Sequence, residues 1–188
     1  KLCESKHKLL VIRKFGTTLS DSVISQFIEV SLPFWGLVQG VDYRYNKNER
    51  KITFLKTKST ITFKGLDNPE KMKSIANVTL VWVEEASELS EKEFDIMSDR
   101  IRGQVDPQIY LSFNPISERH WLRTRFNLRN PAENANLEYY RTSPRVSVIF
   151  STYLANPFVG QKYRDDMEWY KLNKPEHYRV YGLGKWGI

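Results

Sequence analysis

Short apolar runs, separated by polar, glycine or proline residues, are the dominant pattern along the chain. The runs are rich in Leu, Ile and Val and short enough to predict buried strands. Between Tyr43 and Lys64 apolar and polar residues alternate instead, with turns between the alternating segments, so this region predicts an antiparallel hairpin. The buried or interior strands predicted from the runs are His7–Arg13, Val78–Val83 and Gln108–Phe113, and Val146–Ser151 is a further strand.

Helical spacing of apolar residues separates these strands. In Val23–Leu32 the apolar residues recur every three or four positions, and Pro33 and Gly36 are expected to end the helix. Ser90 with Glu93 three residues later has the spacing of a capping box, which predicts that a helix begins there. Further helices are predicted around Leu122–Phe126, over Phe158–Leu172 and over Pro175–Leu183. Strands that alternate with helices predict an α/β domain with a largely parallel sheet.

The length and composition allow one hydrophobic core and exclude several classes of protein. With 188 residues, 40% of them hydrophobic, the chain is expected to form one domain with a small appended subdomain. No apolar run reaches the length of about 18 residues that a membrane-spanning helix needs. A single cysteine, Cys3, and three histidines exclude an internal disulfide and a zinc site of the usual spacing.

Charge is unevenly distributed along the chain. The formal net charge is +7, which permits a polyanionic partner such as nucleic acid or nucleotide phosphate. Seven of the 22 acidic residues lie between Glu84 and Asp99, whereas arginines cluster between Arg119 and Arg145. Segregation of the two signs is less typical of an ordinary solvated surface than an even mixture.

Two adjacent carboxylates, Glu84 and Glu85, directly follow the predicted strand Val78–Val83. Ligands of a parallel sheet bind beyond the carboxyl ends of its strands, where these side chains are expected. Because successive strand residues point to opposite faces, we expect the carboxylates to diverge, one toward Mg²⁺ and one toward a nucleophilic water. The alternative is structural, since acidic residues in the first turn of a helix are stabilised by its dipole. Position alone leaves both interpretations open.

Seven groups of motifs, spread over nearly the whole chain, carry a family resemblance through their order and spacing. They are LLVIRK with TTLSDSV, ITFKGLDNPEKMKSI, VWVEEASELS, DRIRG, LSFNP with HWLRTRF, STYLANPF, and YRVYGLGKWG. In this order they resemble the ATPase domain of the phage terminase large subunit, the motor that packages DNA into procapsids. The resemblance is strongest to the subgroup found in tailed phages of Gram-positive bacteria.

The resemblance implies a P-loop NTPase-like fold: a mostly parallel sheet flanked by helices, an antiparallel β-hairpin addition and a small C-terminal helical lid or linker subdomain. Residues 1–145 would form the ATPase core, and residues 146–188 the last core strand with the lid or linker subdomain. The phosphate-binding motif G-x-x-x-x-G-K-[ST] is absent, because the only Gly-Lys pair, Gly184-Lys185, is followed by Trp186. We therefore expect the P-loop strand and helix to be missing at the N-terminus, and the nuclease domain of the family to be missing after the last residue.

Site residues follow from the resemblance position by position. The segment VTLVWVEEA corresponds to the Walker B strand, which implies that Glu84 is the magnesium-associated acid and Glu85 the catalytic carboxylate that activates water. The segment SFN corresponds to the coupling motif, in which Ser112 and Asn114 would sense the γ-phosphate of ATP. Basic candidates for contacting a nucleotide, including the nucleotide of a neighbouring subunit, are Arg13, Lys71 and Lys73. Candidates for contacting DNA or a neighbouring subunit are Arg119, Arg123 and Arg125.

The resemblance also implies cofactors, partners and a location. ATP and Mg²⁺ would be bound together with the missing upstream loop. The partners would be double-stranded DNA, the portal protein, the terminase small subunit and further copies of the chain. The protein would act in the host cytoplasm at the procapsid portal, with no membrane.

Two functions of other classes remain open from the residues alone. One is a metal-dependent nuclease in which Glu84, Glu85, Asp95 or Asp99 bind two metal ions. The other is a non-catalytic basic module whose arginine and aromatic side chains bind single-stranded nucleic acid.

A preparation of only these 188 residues is expected to show no ATPase activity, because the motif whose backbone N–H groups and lysine hold the phosphates is absent. The measurement is phosphate release in the presence of ATP and Mg²⁺. Turnover that depends on Mg²⁺ would contradict this prediction.

Overall fold

In the computed structural model, which describes residues 2–17, 19, 23–66, 77–101 and 107–188, the first predicted strand is an interior strand of a six-stranded sheet. This strand, β1 (Lys8–Arg13), pairs in parallel with β4 (Thr60–Gly65) on one side and with β5 (Leu80–Val83) on the other. Strand β6 (Gln108–Leu111) pairs in parallel with β5 at the edge of the sheet, and its residues are exposed or half-buried. The expectation that this strand is buried was therefore wrong, because an edge strand has a neighbour on one side only. Four parallel strands therefore have their carboxyl ends on the same side of the sheet.

The predicted antiparallel addition is confirmed on the other edge of the sheet. Strand β2 (Tyr43–Asn46) pairs antiparallel with β3 (Lys51–Phe54), and β3 pairs antiparallel with β4. The strand order is β2-β3-β4-β1-β5-β6. This mixed but mostly parallel sheet is the predicted fold class.

One face of the sheet packs against the helical segment that follows β1. Val11, Ile61 and Phe63 on this face are at most 2% exposed and belong to one buried cluster. The Phe27 ring from the helical segment meets the Phe63 ring edge to face, with centroids 5.6 Å apart. Burial of apolar surface of this kind contributes about 25 cal/mol per Å², so this cluster is a main source of stability.

The helical segment differs from the prediction in its winding, whereas its end agrees with the prediction. Gln26–Ser31 is π-helical and continues into the short helix α1 (Leu32–Phe34). The helix thus ends one residue after Pro33, which lacks the N–H that a continuing helix needs. The segment ends at Gly36, whose φ of 69° is a left-handed conformation that glycine adopts without strain.

The helix predicted from the capping box is confirmed as α2 (Glu91–Ile101). The Ser90 N–H donates to Glu93 Oε2 over 2.7 Å, and the Glu93 N–H donates to Ser90 Oγ over 3.3 Å. These reciprocal bonds satisfy two N–H groups that the start of a helix leaves without intrahelical acceptors. The buried residues of α2 are Phe94, Met97 and Ile101.

The chain divides into two units, Lys1–Phe113 and Asn114–Ile188. In the second unit, β7 (Leu137–Ser143) and β8 (Val146–Ser151) form a separate two-stranded antiparallel sheet. The expectation that Val146–Ser151 is the last strand of the core sheet was therefore wrong. A neighbouring strand that the sequence analysis missed precedes it across a tight turn, and β8 pairs with this local partner. The division into an ATPase core and a lid or linker subdomain concerns roles and stays a prediction.

The predicted helices of the second unit are present, with small differences in their bounds. They are α3 (Trp121–Arg125), α4 (Gln161–Asn173) and α5 (Pro175–His177), the last continuing as the π-helical segment Tyr178–Gly182. Among the helices of the described residues, none combines the length and the apolar character that crossing a membrane requires.

We expect Phe63→Ala to lower the free energy of unfolding by about 3–5 kcal/mol, because a buried aromatic ring is removed and a cavity remains. Thr62→Ala, at a half-buried position on the opposite face of the same strand, is the control and is expected to cost less than about 1 kcal/mol. Urea denaturation of both variants measures the difference. Equal losses for the two would contradict the assignment of the core to this face.

Candidate active site at the ends of three parallel strands

The carboxyl ends of β1, β5 and β6 bring together residues that are far apart in the sequence. Main-chain pairing continues one residue past the strands, since the Glu84 N–H donates to the Ile12 carbonyl over 2.8 Å and the Ser112 N–H to the Val83 carbonyl over 3.1 Å. Glu84 and Ser112 are thereby fixed at the same edge of the sheet. This edge is the position at which ligands of parallel sheets bind.

Arg13, the last residue of β1, lies between two carboxylates. Its Nε is 3.1 Å from Glu84 Oε2, and its Nη2 is 3.7 Å from Glu88 Oε1. The side chains of Arg13 and Glu84 are only 18% and 20% exposed, so solvent screens this pair less than a surface pair. The Nε–H is not aligned with Glu84 Oε2, which is buried without a hydrogen bond, so the contact is an attraction of charges rather than an aligned hydrogen bond.

Lys14 connects the end of β1 to the start of α2. Its Nζ donates to the Glu88 carbonyl over 3.0 Å and lies 3.4 Å from Glu93 Oε2. The hydrogen bond from the Ser90 N–H holds the pKa of Glu93 below its usual value, and Lys14 lowers it further. Of the carboxylates beside Arg13 and Lys14, Glu93 is therefore the one whose negative charge is best compensated.

Glu85 has a left-handed backbone conformation, with φ 51° and ψ 50°. Residues other than glycine rarely adopt it, and it occurs where the surrounding structure enforces it, often at functional sites. Here it turns the chain so that the next N–H, that of Ala86, donates to the Ser112 carbonyl over 2.9 Å. Because β5 ends at Val83, the expectation that the pleat of a strand separates Glu84 from Glu85 was wrong. A turn separates them instead.

Burial raises the pKa of both adjacent carboxyl groups above the usual value. For Glu84 desolvation is the largest cause, Arg13 opposes it, and the neighbouring charges of Glu85 and Glu88 add to it. For Glu85 desolvation is again the largest cause, with Arg13 opposing. Both groups therefore hold a proton more readily than an exposed glutamate does.

Three hydrogen bonds attach Ser112 to β5 and to the turn that follows it. Two are the main-chain bonds to Val83 and Ala86, and in the third the Trp82 Nε1–H donates to Ser112 Oγ over 2.8 Å. Sequence reasoning missed Trp82, Lys14 and Glu88, because their partners lie on elements distant in the sequence and no spacing rule connects them.

The other predicted site residues do not belong to the described part of the first unit. Lys71 and Lys73 lie outside the described residues. Asn114 begins the second unit, where its carbonyl accepts the Ile116 N–H over 2.9 Å.

The three arginines predicted to contact DNA or a subunit belong to the second unit. Arg119 is exposed. Arg123 lies 3.4 Å from Glu118 Oε2, so a carboxylate compensates its charge locally. The Arg125 guanidinium lies 5.9 Å from the centre of the Trp121 ring, a cation–π contact. Their predicted role stays a prediction.

The donor set at the sheet edge fits Mg²⁺ bound together with a phosphate group. Glu84 offers a buried carboxylate oxygen without a hydrogen bond, and Mg²⁺ in phosphate sites needs only one or two protein carboxylates. Across the described ranges, no group of three or more His, Cys, Asp or Glu side chains is arranged to hold a metal by itself.

Comparison with protein families and with curated proteins places these features in a known context. A family model described as phage terminase large subunit matches residues 1–185. The PBSX phage terminase large subunit of Bacillus subtilis (strain 168) is 29% identical over 196 residues, covering 100% of this chain and 44% of the relative. The terminase large subunit of Bacillus phage SPP1 is 27% identical over 187 residues, covering 94% of this chain and 41% of the relative. The chain thus spans less than half the length of these relatives.

The fold is also that of solved terminase structures. The large terminase of a thermophilic bacteriophage superposes with a TM-score of 0.69 at 15% identity, covering 98% of this chain and 42% of that protein. The complex of the same terminase with ADP superposes with a TM-score of 0.65 at 16% identity, over 98% and 41% of the two chains.

The raised pKa of Glu85 predicts how stability depends on pH. The folded state binds the proton of Glu85 more tightly than the unfolded chain does. Below the unfolded-state pKa of 4.5 the group is protonated in both states and does not lower the free energy of unfolding, whereas this free energy falls as pH rises through the folded-state pKa. Glu85→Gln is therefore expected to raise Tm at pH 7 and to leave it nearly unchanged at pH 4.

Scanning calorimetry at the two pH values checks this prediction. Glu176→Gln, at an exposed position of α5, is the control and is expected to change Tm little at either pH. A Glu85→Gln variant that is less stable than the wild-type protein at pH 7 would contradict the burial argument.

Proposed function

Because the chain belongs to the phage terminase large-subunit family, we propose that it forms most of an ATPase domain that couples hydrolysis of Mg-ATP to movement of double-stranded DNA into a procapsid. The observation that carries the proposal is the meeting of Glu84, Glu85 and Ser112 at the carboxyl edge of β5 and β6. The similar large terminase of the thermophilic bacteriophage has been solved with ADP and with ATP-γ-S, which supports a nucleotide as ligand.

Charge at the sheet edge supports Mg-ATP as the ligand. Among the described residues, two cations, from the consecutive residues Arg13 and Lys14, lie beside four carboxylates, so these groups together carry an excess of negative charge. The carboxylates are Glu84, Glu85, Glu88 and Glu93. A divalent cation relieves this excess, and Mg²⁺ supplies charge neutralisation for the transferring phosphoryl group when it is bound.

The roles of the residues follow from their surroundings. Glu84, with its buried oxygen, would hold the metal ion directly or through water. Glu85 would orient the attacking water and accept its proton while the water oxygen bonds to the γ-phosphorus and the bond to the ADP oxygen breaks. Its raised pKa suits a group that must take up a proton.

Arg13 was a candidate for contacting the nucleotide of a neighbouring subunit. Its contacts with Glu84 and Glu88 support a role within its own subunit, where it holds the metal-associated acid in place. Lys71 and Lys73 then remain the candidates for the trans-acting role. Asn114 would act with Ser112 in sensing the γ-phosphate.

The partners and the location follow from the proposed function. The protein would act with the portal protein, the terminase small subunit and further copies of itself, in the host cytoplasm at the procapsid portal. Its net charge of +7 is compatible with contact to the phosphates of DNA, for which Arg119, Arg123 and Arg125 are candidates.

We expect Glu85→Gln in the full-length protein to lower the rate of phosphate release from ATP by about 100-fold or more, the usual range for loss of a general base. Nucleotide affinity is expected to change little, because the substitution preserves size and removes only the proton acceptor. Asp166→Asn, an exposed carboxylate on α4, is the matched control and is expected to retain full turnover. Turnover of Glu85→Gln within about threefold of wild type would refute the assignment of Glu85.

A further inference from the structure

The hydrogen bond between Trp82 and Ser112 links β5 to β6 through their side chains. We propose that Trp82 is a positioning residue that makes the Ser112 hydroxyl a hydrogen-bond donor to the γ-phosphate of the bound nucleotide. The inference rests on the proposed function, because it assigns a nucleotide to the sheet edge. Trp82 is neither one of the two carboxylates nor part of the coupling motif. Through Ser112, it would help the protein to distinguish a nucleoside triphosphate from a diphosphate.

The chemistry of the two side chains fixes the direction of the bond. An indole N–H can only donate, whereas a serine hydroxyl donates once and accepts up to twice. Ser112 Oγ must therefore accept from Trp82 Nε1–H, and the hydroxyl proton is left for another acceptor. No acceptor for this proton occurs within the described ranges, and Ser112 is exposed. A hydroxyl that already accepts a hydrogen bond is polarised and becomes a better donor.

The backbone leaves Ser112 little other freedom. Its N–H and its carbonyl are both bonded to β5 and the turn after it, at the Val83 carbonyl and the Ala86 N–H. What remains is rotation of the side chain about its Cα–Cβ bond. The Trp82 indole restricts that rotation and holds Oγ in one position before a ligand arrives, so that only the O–H proton still has to turn toward its acceptor.

The indole is itself held by the hydrophobic core. The Trp82 ring packs against Phe27 with centroids 5.9 Å apart, and Phe27 in turn packs against Phe63. Trp82 is half-buried and lies against the buried cluster on this face. Phenylalanine at this position would keep much of the ring packing and remove the N–H, so the packing and the positioning roles can be separated by one substitution.

Ser112 lies directly beside the carboxylates. The last register pair of β5 and β6 joins Val83 to Leu111, so Ser112 is the next residue on β6 and Glu84 the next on β5. A donor at this point faces the ligand that the two acids serve. ADP lacks the γ-phosphate and gains nothing from this donor, so loss of the donor must weaken triphosphate binding selectively.

The experiment compares nucleotide preference in the full-length protein and in three variants: Trp82→Phe, Ser112→Ala and the double variant. Calorimetric titration with ATP-γ-S and with ADP gives the ratio of the two dissociation constants. We expect Ser112→Ala to lower the preference for ATP-γ-S by about tenfold or more, as expected for loss of one hydrogen bond to a charged group. Trp82→Phe is expected to lower it by about threefold to tenfold, because the hydroxyl is kept but is no longer held in place. The double variant is expected to match Ser112→Ala, because both substitutions remove the same interaction.

The control is Trp169→Phe, the same substitution at an exposed position of α4, which is expected to leave the ratio unchanged. A purely structural role of Trp82 would lower Tm without changing the ratio, and that result would overturn the inference. Additive effects in the double variant would also overturn it. If the wild-type protein binds neither nucleotide, the proposed function and this inference are both overturned. If the protein binds both nucleotides and the substitutions leave the ratio of dissociation constants unchanged, only this inference is overturned.

Discussion

The register between β1, β5 and β6 determines where each group of the candidate active site lies. Main-chain bonds extend one residue past the strands, from Glu84 to the carbonyl of Ile12 and from Ser112 to that of Val83. Both acceptor residues are fully buried, so these bonds are shielded from exchange with water. Groups held in this way lose little further conformational entropy on meeting a ligand. The apolar faces of the sheet thus supply the rigidity on which the charged edge depends.

The charged edge is the costly part of this arrangement. Arg13 and Glu84 are mostly buried, and a buried pair returns its desolvation cost only when the geometry is good. Here the pair is close but not aligned, and carboxylates outnumber the cations beside them. Burial is the main reason that the pKa values of Glu84 and Glu85 are raised, and the neighbouring carboxylates add to it. Such an edge is stabilised when a cation arrives, which connects the electrostatics of the free protein to the proposed binding of Mg-ATP.

The sequence predicted the elements better than it predicted their partners. Periodicity identified β1, β5 and β6, and the capping box located α2 to within a residue, because both signals are local. The pairing of Val146–Ser151 with the preceding strand was not predicted, because a run of apolar residues indicates a strand but not which strand it pairs with. Pro33 and Gly36 located the end of the first helix to within a residue or two, because both are local signals. The left-handed conformation of Glu85 could not be predicted from the neighbouring sequence. The hydrogen bond that accompanies it, from Ala86 to Ser112, joins the ends of two different strands.

At the candidate active site, too, local signals could be predicted and contacts between distant residues could not. Adjacent acids after an apolar run drew attention to Glu84 and Glu85, but the groups that tune them come from elsewhere in the chain. Arg13 lies 71 residues before Glu84 and meets it only because β1 and β5 are neighbours. A pair formed across strands makes the two positions interdependent. A metal ion bound at Glu84, as proposed, would weaken the attraction of this carboxylate to Arg13, and Glu88 would then become the stronger partner of the arginine. The occupancy of the proposed metal site and the position of Arg13 would in that case be one equilibrium.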